Sequence, residues 1–184
     1  MLIDITLPLT KDMRQAMSKD AKKAPWGHLG THFDVMDQEF PLSYTTRQGW
    51  FFDISHLSKT EVRLEDIDIT KVKPQMFIGF YSGFSETCQY GTDAYFREHP
   101  QLSHELINFL VSRQISLIGL DFAGMRRGKE HTPKDKFCAD QGVFIVENLW
   151  GLKPIINQDI IVHTYPLRLQ ESTGLPCRVI AEIR

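Results

Sequence analysis

Cysteine is scarce in this chain of 184 residues: Cys88, Cys138 and Cys177 are its three, and none forms a CxxC pair. So few scattered thiols exclude a disulfide framework and a cysteine-built zinc site, and they are expected to stay reduced. Long apolar runs are also missing. The longest candidates, Leu117–Leu120 and Val143–Val146, fall far short of the roughly 20 residues that a membrane span needs. The start, Met1-Leu2-Ile3-Asp4-Ile5-Thr6, lacks a basic region followed by an apolar stretch and a small-residue cleavage site. No secretory signal is expected there, and a cytoplasmic location follows as the expectation. Excess charge of one sign is absent too: 21 Lys and Arg stand against 23 Asp and Glu, a net charge of −2. That balance argues against nucleic acid as a partner and leaves a small molecule as the expected substrate. There is no internal repeat, no low-complexity tract and no linker-like cluster of proline, so a single domain over residues 1–184 is expected.

What is present suits a compact core, since 42% of the residues are hydrophobic and 24% charged. Short runs rich in β-branched and aromatic residues recur at Leu2–Leu7, Trp50–Ile54, Met76–Phe80, Ile115–Leu120, Val143–Val146, Asp159–Tyr165 and Arg178–Ile183, bounded by Gly, Pro, Asp or Asn. The spacing predicts a helix over Ser103–Arg113, with Ser103 as its cap and Leu106, Ile107, Leu110 and Val111 on one face. A shorter helix is predicted around Asp135–Gln141, ending at Gly142. Each helix runs straight into a strand, so the fold class is α/β, with a mixed, partly parallel sheet and covering helices. The basic cluster Arg126-Arg127-Gly128-Lys129 is followed by Glu130 and is expected to be a solvated loop rather than an anion site.

The segment His28-Leu29-Gly30-Thr31-His32-Phe33-Asp34 places three metal-ligand types at positions i, i+4 and i+6. A helix would bring the two histidines together but send Asp34 roughly 200° round the axis. An extended segment puts His32 and Asp34 on one face, about 7 Å apart at Cα, and leaves His28 too distant. Gly30, lacking Cβ, permits the bend that folds His28 back. Imidazole and carboxylate together suit a divalent ion, Zn²⁺ first, with Mn²⁺ or Fe²⁺ possible if carboxylates dominate. A second segment, Val143-Phe144-Ile145-Val146-Glu147, is a buried-looking strand ending in a carboxylate, at a sheet edge where α/β proteins hold ligands. Between the two lies Glu130-His131-Thr132-Pro133-Lys134-Asp135, whose His131 is a candidate ligand or acid/base residue. Trp26, Phe33 and Phe40 either line an apolar pocket or pack in the core.

These stretches resemble the cyclase-like metal-dependent hydrolase family, which includes bacterial kynurenine formamidases. The resemblance rests on His28-Leu29-Gly30-Thr31-His32-Phe33-Asp34, similar to H-x-G-T-H-x-D, and on Gly142-Val143-Phe144-Ile145-Val146-Glu147-Asn148-Leu149, similar to G-[V/I]-x-[I/V]-V-E-N-L. Phe51-Phe52-Asp53-Ile54-Ser55, Gly119-Leu120-Asp121 and the run from Gly174 to Ala181 echo it in the same order. It implies a swivelling β/β/α fold, one or two divalent ions held by His28, His32, Asp34 and Glu147, and assembly as a homodimer or larger homo-oligomer. It also implies hydrolysis of an amide-type C–N bond, a formamide or cyclic amide, through a metal-activated water, with the leaving group protonated by His131, Glu147 or Asp135.

Two positions depart from the pattern. The family's proton-transfer histidine follows the aspartate by four residues, where this chain has Gln38. Its further histidine ligand stands about twelve residues before the glutamate, where this chain has Asp135, with His131 four residues earlier. A non-catalytic member that binds a metal or small ligand is therefore the alternative reading. A Cys138–His131 nucleophilic enzyme is a third, against which stands a plain packing role for Cys138.

Overall fold

The computed structural model describes residues 1–18, 26–57 and 60–184. Ten strands lie among them: β1 (Leu2–Asp4), β2 (His32–Asp34), β3 (Thr46–Asp53), β4 (Glu61–Val62), β5 (Phe77–Tyr81), β6 (Gln101–Leu102), β7 (Leu117–Leu120), β8 (Phe144–Glu147), β9 (Ile160–Pro166) and β10 (Gly174–Ile183). The α-helices are α1 (Lys11–Ser18), α2 (Phe84–Thr87), α3 (Asp93–Arg97), α4 (His104–Ser112) and α5 (His131–Asp140). Eight strands form one sheet in the order β1-β10-β2-β8-β7-β5-β3-β9, and β9 also pairs with β10, which closes the sheet into a barrel. The neighbours β3, β5, β7 and β8 are mutually parallel, and the remaining pairings of the sheet are antiparallel. The mixed sheet with covering helices is thus as expected from the sequence.

Alternation along the strands builds two cores. Phe51, Phe77, Leu117, Phe144, Val146, Val162 and Val179 point into the barrel. Their neighbours Trp50, Phe52, Ile78, Phe80, Ile118, Leu120 and Ile145 point outward and pack against Leu106, Ile107 and Leu110 of α4. The result is two sheet layers and one helical layer, with the parallel strands hydrophobic on both faces because both are covered. Room inside the barrel comes from two glycines in register, Gly79 on β5 and Gly119 on β7. A Cβ on Gly79 would stand 2.1 Å from the Phe51 ring, and one on Gly119 would stand 2.3 Å from the Phe77 ring.

Helix α4 has the expected cap, since the Ser103 hydroxyl accepts from the Leu106 amide at 3.1 Å. Helix α5 is longer than expected and starts at His131, four residues before Asp135. Pro133 marks that segment as a loop in the sequence, but proline is tolerated in a first helical turn, where its missing N–H would have no intrahelical partner. The basic cluster needs a correction as well. Arg126 is buried, and its guanidinium donates to Glu61 at 2.7 Å, to Glu130 at 2.8 Å and to the Leu102 carbonyl at 2.9 Å. It fastens the loop before α5 to the small β4–β6 pair. Cys88, Cys138 and Cys177 are free thiols. Among the described residues no helix is long and apolar enough to cross a membrane.

Candidate metal centre

Backbone register brings the two sequence motifs together. Strands β2 and β8 pair antiparallel with His32 opposite Glu147 and Asp34 opposite Ile145, so His32, Asp34 and Glu147 share the outward face. Phe33, between the two ligand-type residues, points the other way into the barrel core and is fully buried. Gly30 adopts φ 69°, in the left-handed region, and the chain bends there as its lack of Cβ allows. The bend returns His28 to the cluster: its Nδ1 is 3.2 Å from His32 Nε2 and 3.0 Å from Asp34 Oδ1. Helix α5 supplies the other side. His131 and Asp135 lie one turn apart on one face, with His131 Nε2 at 3.0 Å from Asp135 Oδ2 and 3.3 Å from Glu147 Oε1.

Two overlapping groups result, His28-His32-Asp34 and Asp34-His131-Asp135-Glu147, each with ligand atoms within 4.8 Å of one another. Asp34 belongs to both. Glu147 also faces both ways, with Oε2 at 3.6 Å from His32 Nε2 while Oε1 faces His131. The sequence leaves open whether His131 or Asp135 joins the cluster, and the helix brings both.

Buried hydrogen bonds hold this arrangement from behind. The Gly30 carbonyl accepts from His32 Nδ1 and from the Asn148 side-chain amide, each at 2.9 Å, which leaves His32 Nε2 for the cluster. The Asn148 amide oxygen accepts in turn from the Tyr95 hydroxyl at 2.9 Å, and Tyr90 OH accepts from the Gly30 N–H at 2.8 Å. His28 Nε2 meets the Thr173 hydroxyl at 2.9 Å. Tyr90, Tyr95 and Thr173 have no signal in the sequence, because each reaches the motif from a distant loop or short helix. Trp26 begins a 3-10 turn, but its side chain lies outside the described residues. Phe40 packs on Phe33 with ring centroids 4.7 Å apart and lines a separate groove.

Burial and crowding set the charges. Burial disfavours a charge on Asp34, yet His32 and His28 beside it hold its carboxyl well below the usual carboxylate range. Burial likewise disfavours protonation of His32, but Asp34 and Glu147 push it up to about 9. Asp135 is pushed up to about 7, by burial first and by the charge of Asp34, against the pull of His131. Burial also raises Glu147, with Asp34 adding to the effect. Despite these contacts Asp34 Oδ2, both oxygens of Asp135 and Glu147 Oε1 are buried without a hydrogen bond of good geometry. Orphaned carboxylate oxygens of this kind are costly unless a cation joins them. The donor set therefore fits divalent ions, with nitrogen and oxygen ligands on one group and mostly oxygen on the other.

A pH effect follows for the metal-free protein. His32 rises from its ordinary 6.5 to about 9 on folding, so its stabilising contribution is complete below about pH 6.5 and is lost as pH rises through 9. Asp135, raised from 3.8 to about 7, costs stability as pH rises across that interval. Asp34 is ionised in both folded and unfolded states above about pH 6 and adds no slope there. Thermal melts of chelated protein should therefore show a midpoint at least about 5 °C lower at about pH 9.5 than at about pH 6.5, and added divalent ion should flatten the difference. Equal midpoints in the chelated protein would contradict this charge arrangement.

Gln38 lies outside the cluster, with its amide donating to Asp37 at 3.4 Å and to Asp140 on α5 at 3.3 Å. Cys138 is buried in the outer core, and burial pushes its thiol up to about 12, which suits packing rather than nucleophilic attack. A cavity of about 570 Å³ opens above the clusters, with His28, His32, Asp34, His131 and Glu147 on its floor.

Comparison with known proteins gives a family and a fold. The cyclase family model, described as "Putative cyclase", matches residues 3–125 of 184, which takes in His28, His32 and Asp34 and ends before His131. A solved structure named as a potential metal-dependent hydrolase with cyclase activity aligns with a TM-score of 0.79 at 24% identity, over 98% of this chain and 96% of that one. A predicted metal-dependent hydrolase from Bacillus stearothermophilus aligns with a TM-score of 0.76 at 22% identity, over 98% and 97%. Isatin hydrolase A from Labrenzia aggregata, bound to benzyl benzoate, aligns with a TM-score of 0.79 at 18% identity, over 100% and 93%. At these identities the likeness is one of fold. No curated protein matches the chain.

Proposed function

The chain belongs to the cyclase family, and from that premise we propose that it is a metal-dependent hydrolase cleaving an amide-type C–N bond, in a formamide or cyclic amide, of a small molecule. The observation that carries this reading is the set of orphaned carboxylate oxygens, from Asp34, Asp135 and Glu147, buried beside three imidazoles under an open cavity. His28, His32, Asp34 and Glu147 hold one divalent ion, zinc first and manganese second. Asp34, Asp135 and Glu147 have the oxygens for another beside it. When bound, such an ion would polarise a carbonyl and make a water acidic enough to lose a proton near neutral pH.

The chain's own groups do the rest. His131 lines the cavity with Asp135 fully buried behind it; burial disfavours its protonation, but Asp135 and Glu147 push it up to about 12, so it holds a proton at Nε2 and donates it to the leaving group. Glu147 Oε1 faces the same nitrogen and helps to keep that proton on His131. The Gly30 carbonyl and Thr173 hydroxyl hold the two histidine rings in place.

The experiment loads chelated protein with zinc or manganese and assays a panel of formanilide, lactam and aryl ester. Ion-dependent hydrolysis of the formanilide or the lactam is expected. His131→Ala should retain the ion and lose about 10²-fold to 10⁴-fold in turnover if its role is proton transfer. Loss of the ion instead would make it a ligand. Stoichiometric ion with no turnover on any substrate would favour the second reading, a non-catalytic binder. Its support is Gln38, turned toward α5 and unable to transfer a proton where the family places a histidine. Assembly as a homodimer or larger is proposed with this reading and is checked by light scattering.

A further inference from the structure

We propose that Gly124 is the positioning residue of His131: by offering no side chain it lets the imidazole lie where a Cβ would stand, and so holds Nε2 against Asp135 and Glu147. The catalytic consequence rests on the hydrolase reading above. A Cβ on Gly124 would stand 2.7 Å from His131 Cε1 and 2.8 Å from its Nδ1. Ordinary van der Waals contact begins near 3.4 Å, so the ring lies against bare backbone with about 0.7 Å too little room for one more carbon. Gly124 is buried in the loop between β7 and α5 and has φ 94°, a conformation that a residue with a side chain rarely adopts.

The three imidazoles of the centre are held by different means. His32 Nδ1 donates to the Gly30 carbonyl and His28 Nε2 meets the Thr173 hydroxyl, so in each of these rings a hydrogen bond at one nitrogen aims the other. His131 makes no hydrogen bond at Nδ1 among the described residues. Only its Nε2 is engaged, at 3.0 Å from Asp135 Oδ2 and 3.3 Å from Glu147 Oε1. The surface that limits the rotation of this ring is Gly124, at the Cε1–Nδ1 edge.

Neither backbone can give way easily. The loop is pinned on both sides of the glycine: the Phe122 carbonyl accepts from the Asn148 N–H at 3.3 Å, and the Met125 carbonyl accepts from the Leu102 N–H at 3.0 Å. The Phe122 and Met125 side chains are fully buried, and the Arg126 guanidinium is clamped by Glu61 and Glu130. Opposite the loop, α5 is fixed through the buried Asp135, Cys138 and Ala139. A carbon added at Gly124 would therefore displace the imidazole and lengthen its contacts with both carboxylates. Misplacing a reacting group by about 1 Å can cost about 10²-fold in rate.

The test compares wild type, Gly124→Ala, His131→Ala and the double variant. Gly151→Ala is the control for backbone strain, since Gly151 also has a positive φ, 68°, and a Cβ there would meet nothing within 4 Å. On zinc-loaded protein with formanilide and a lactam, Gly124→Ala should keep its zinc, hold KM within about 2-fold and lose about 10-fold to 10²-fold in kcat. In the His131→Ala background the same substitution should change kcat by less than about 2-fold. A second readout needs no turnover: in imidazole nitrogen NMR of histidine-labelled protein, the signal that is lost in His131→Ala should shift in Gly124→Ala and stay in place in Gly151→Ala. An unmoved signal, or equal kcat losses in both backgrounds, would overturn the proposal, because the glycine would then serve its loop and not the ring. If no variant hydrolyses either substrate while the His131 signal moves as stated, the positioning stands and the hydrolase reading falls. If wild type is active and Gly124→Ala matches it, the hydrolase reading stands and the positioning falls. Should Gly124→Ala fail to fold, the double variant decides: a folded chain once the ring is removed upholds the contact, and failure there as well overturns it.

Discussion

Replacing Asp34 by alanine is expected to cost on the order of 10³-fold or more in divalent-ion affinity and to remove ion-dependent hydrolysis altogether. The size of the effect comes from its position in both ligand groups. Outer partners of metal ligands typically cost about 10-fold to 100-fold in affinity when removed, and a residue that offers an oxygen to each of two groups must exceed that. Its two oxygens differ in their surroundings. Oδ1 faces His28 and His32 at 3.0 and 3.5 Å, whereas Oδ2 is buried without a hydrogen bond. Asp34→Asn separates charge from shape, because the amide keeps the volume and loses the negative charge that neutralises a cation. Zinc stoichiometry after equilibrium dialysis, measured on protein shown to be folded by circular dichroism, is the deciding quantity. Retention of full stoichiometry in both variants would place the ions elsewhere.

The second large effect concerns stability, far from any chemistry. Gly79→Val is expected to destabilise the fold by about 3 kcal/mol or more in urea denaturation, because a new side chain enters a barrel interior already filled by rings. Even the first added carbon would meet Phe51 atoms at 2.1 and 2.2 Å, and the Phe51 and Phe77 rings sit 5.4 Å apart with no exposed surface to yield into. The attribution is checked by Phe51→Leu, which should cost less in the Gly79→Ala background than in the wild type. Additive losses would mean that the ring is not what the new carbon meets.

How much of this was legible in the residues depends on the distance over which the information is carried. The apolar runs that became β5, β7 and β8, and the helix capped by Ser103, follow from local periodicity and local hydrogen bonding. The bend at Gly30 was legible too, since two histidines and an aspartate at that spacing converge only if the chain turns where Cβ is missing. That Glu147 stands opposite His32 was not, because strand register is decided by packing between segments far apart in the chain; its place at a strand end made it a candidate ligand, and the resemblance joined it to His28, His32 and Asp34. The start of α5 was misplaced through Pro133, and the solvated loop expected at Arg126 is a buried clamp because Glu61 on β4 comes within reach. Helix α3 gave no periodic signal in five residues, so the Tyr95 hydrogen bond to Asn148 emerges only with the tertiary structure.

The partners of His28 and His32 have a consequence for how the product leaves. One ring is held by the Thr173 hydroxyl and the other by the Gly30 carbonyl, both neutral, so the electrical balance of the centre rests on the carboxylates of Asp34, Asp135 and Glu147. With all three ionised, a single divalent cation would leave the centre net negative, and on the proposed amide-hydrolase reading a product acid would be repelled. A pair of cations would leave it net positive, and the same acid would be retained. On that reading the occupancy of the centre would control turnover by product release, which links the ion count to the inhibition pattern expected of the product acid.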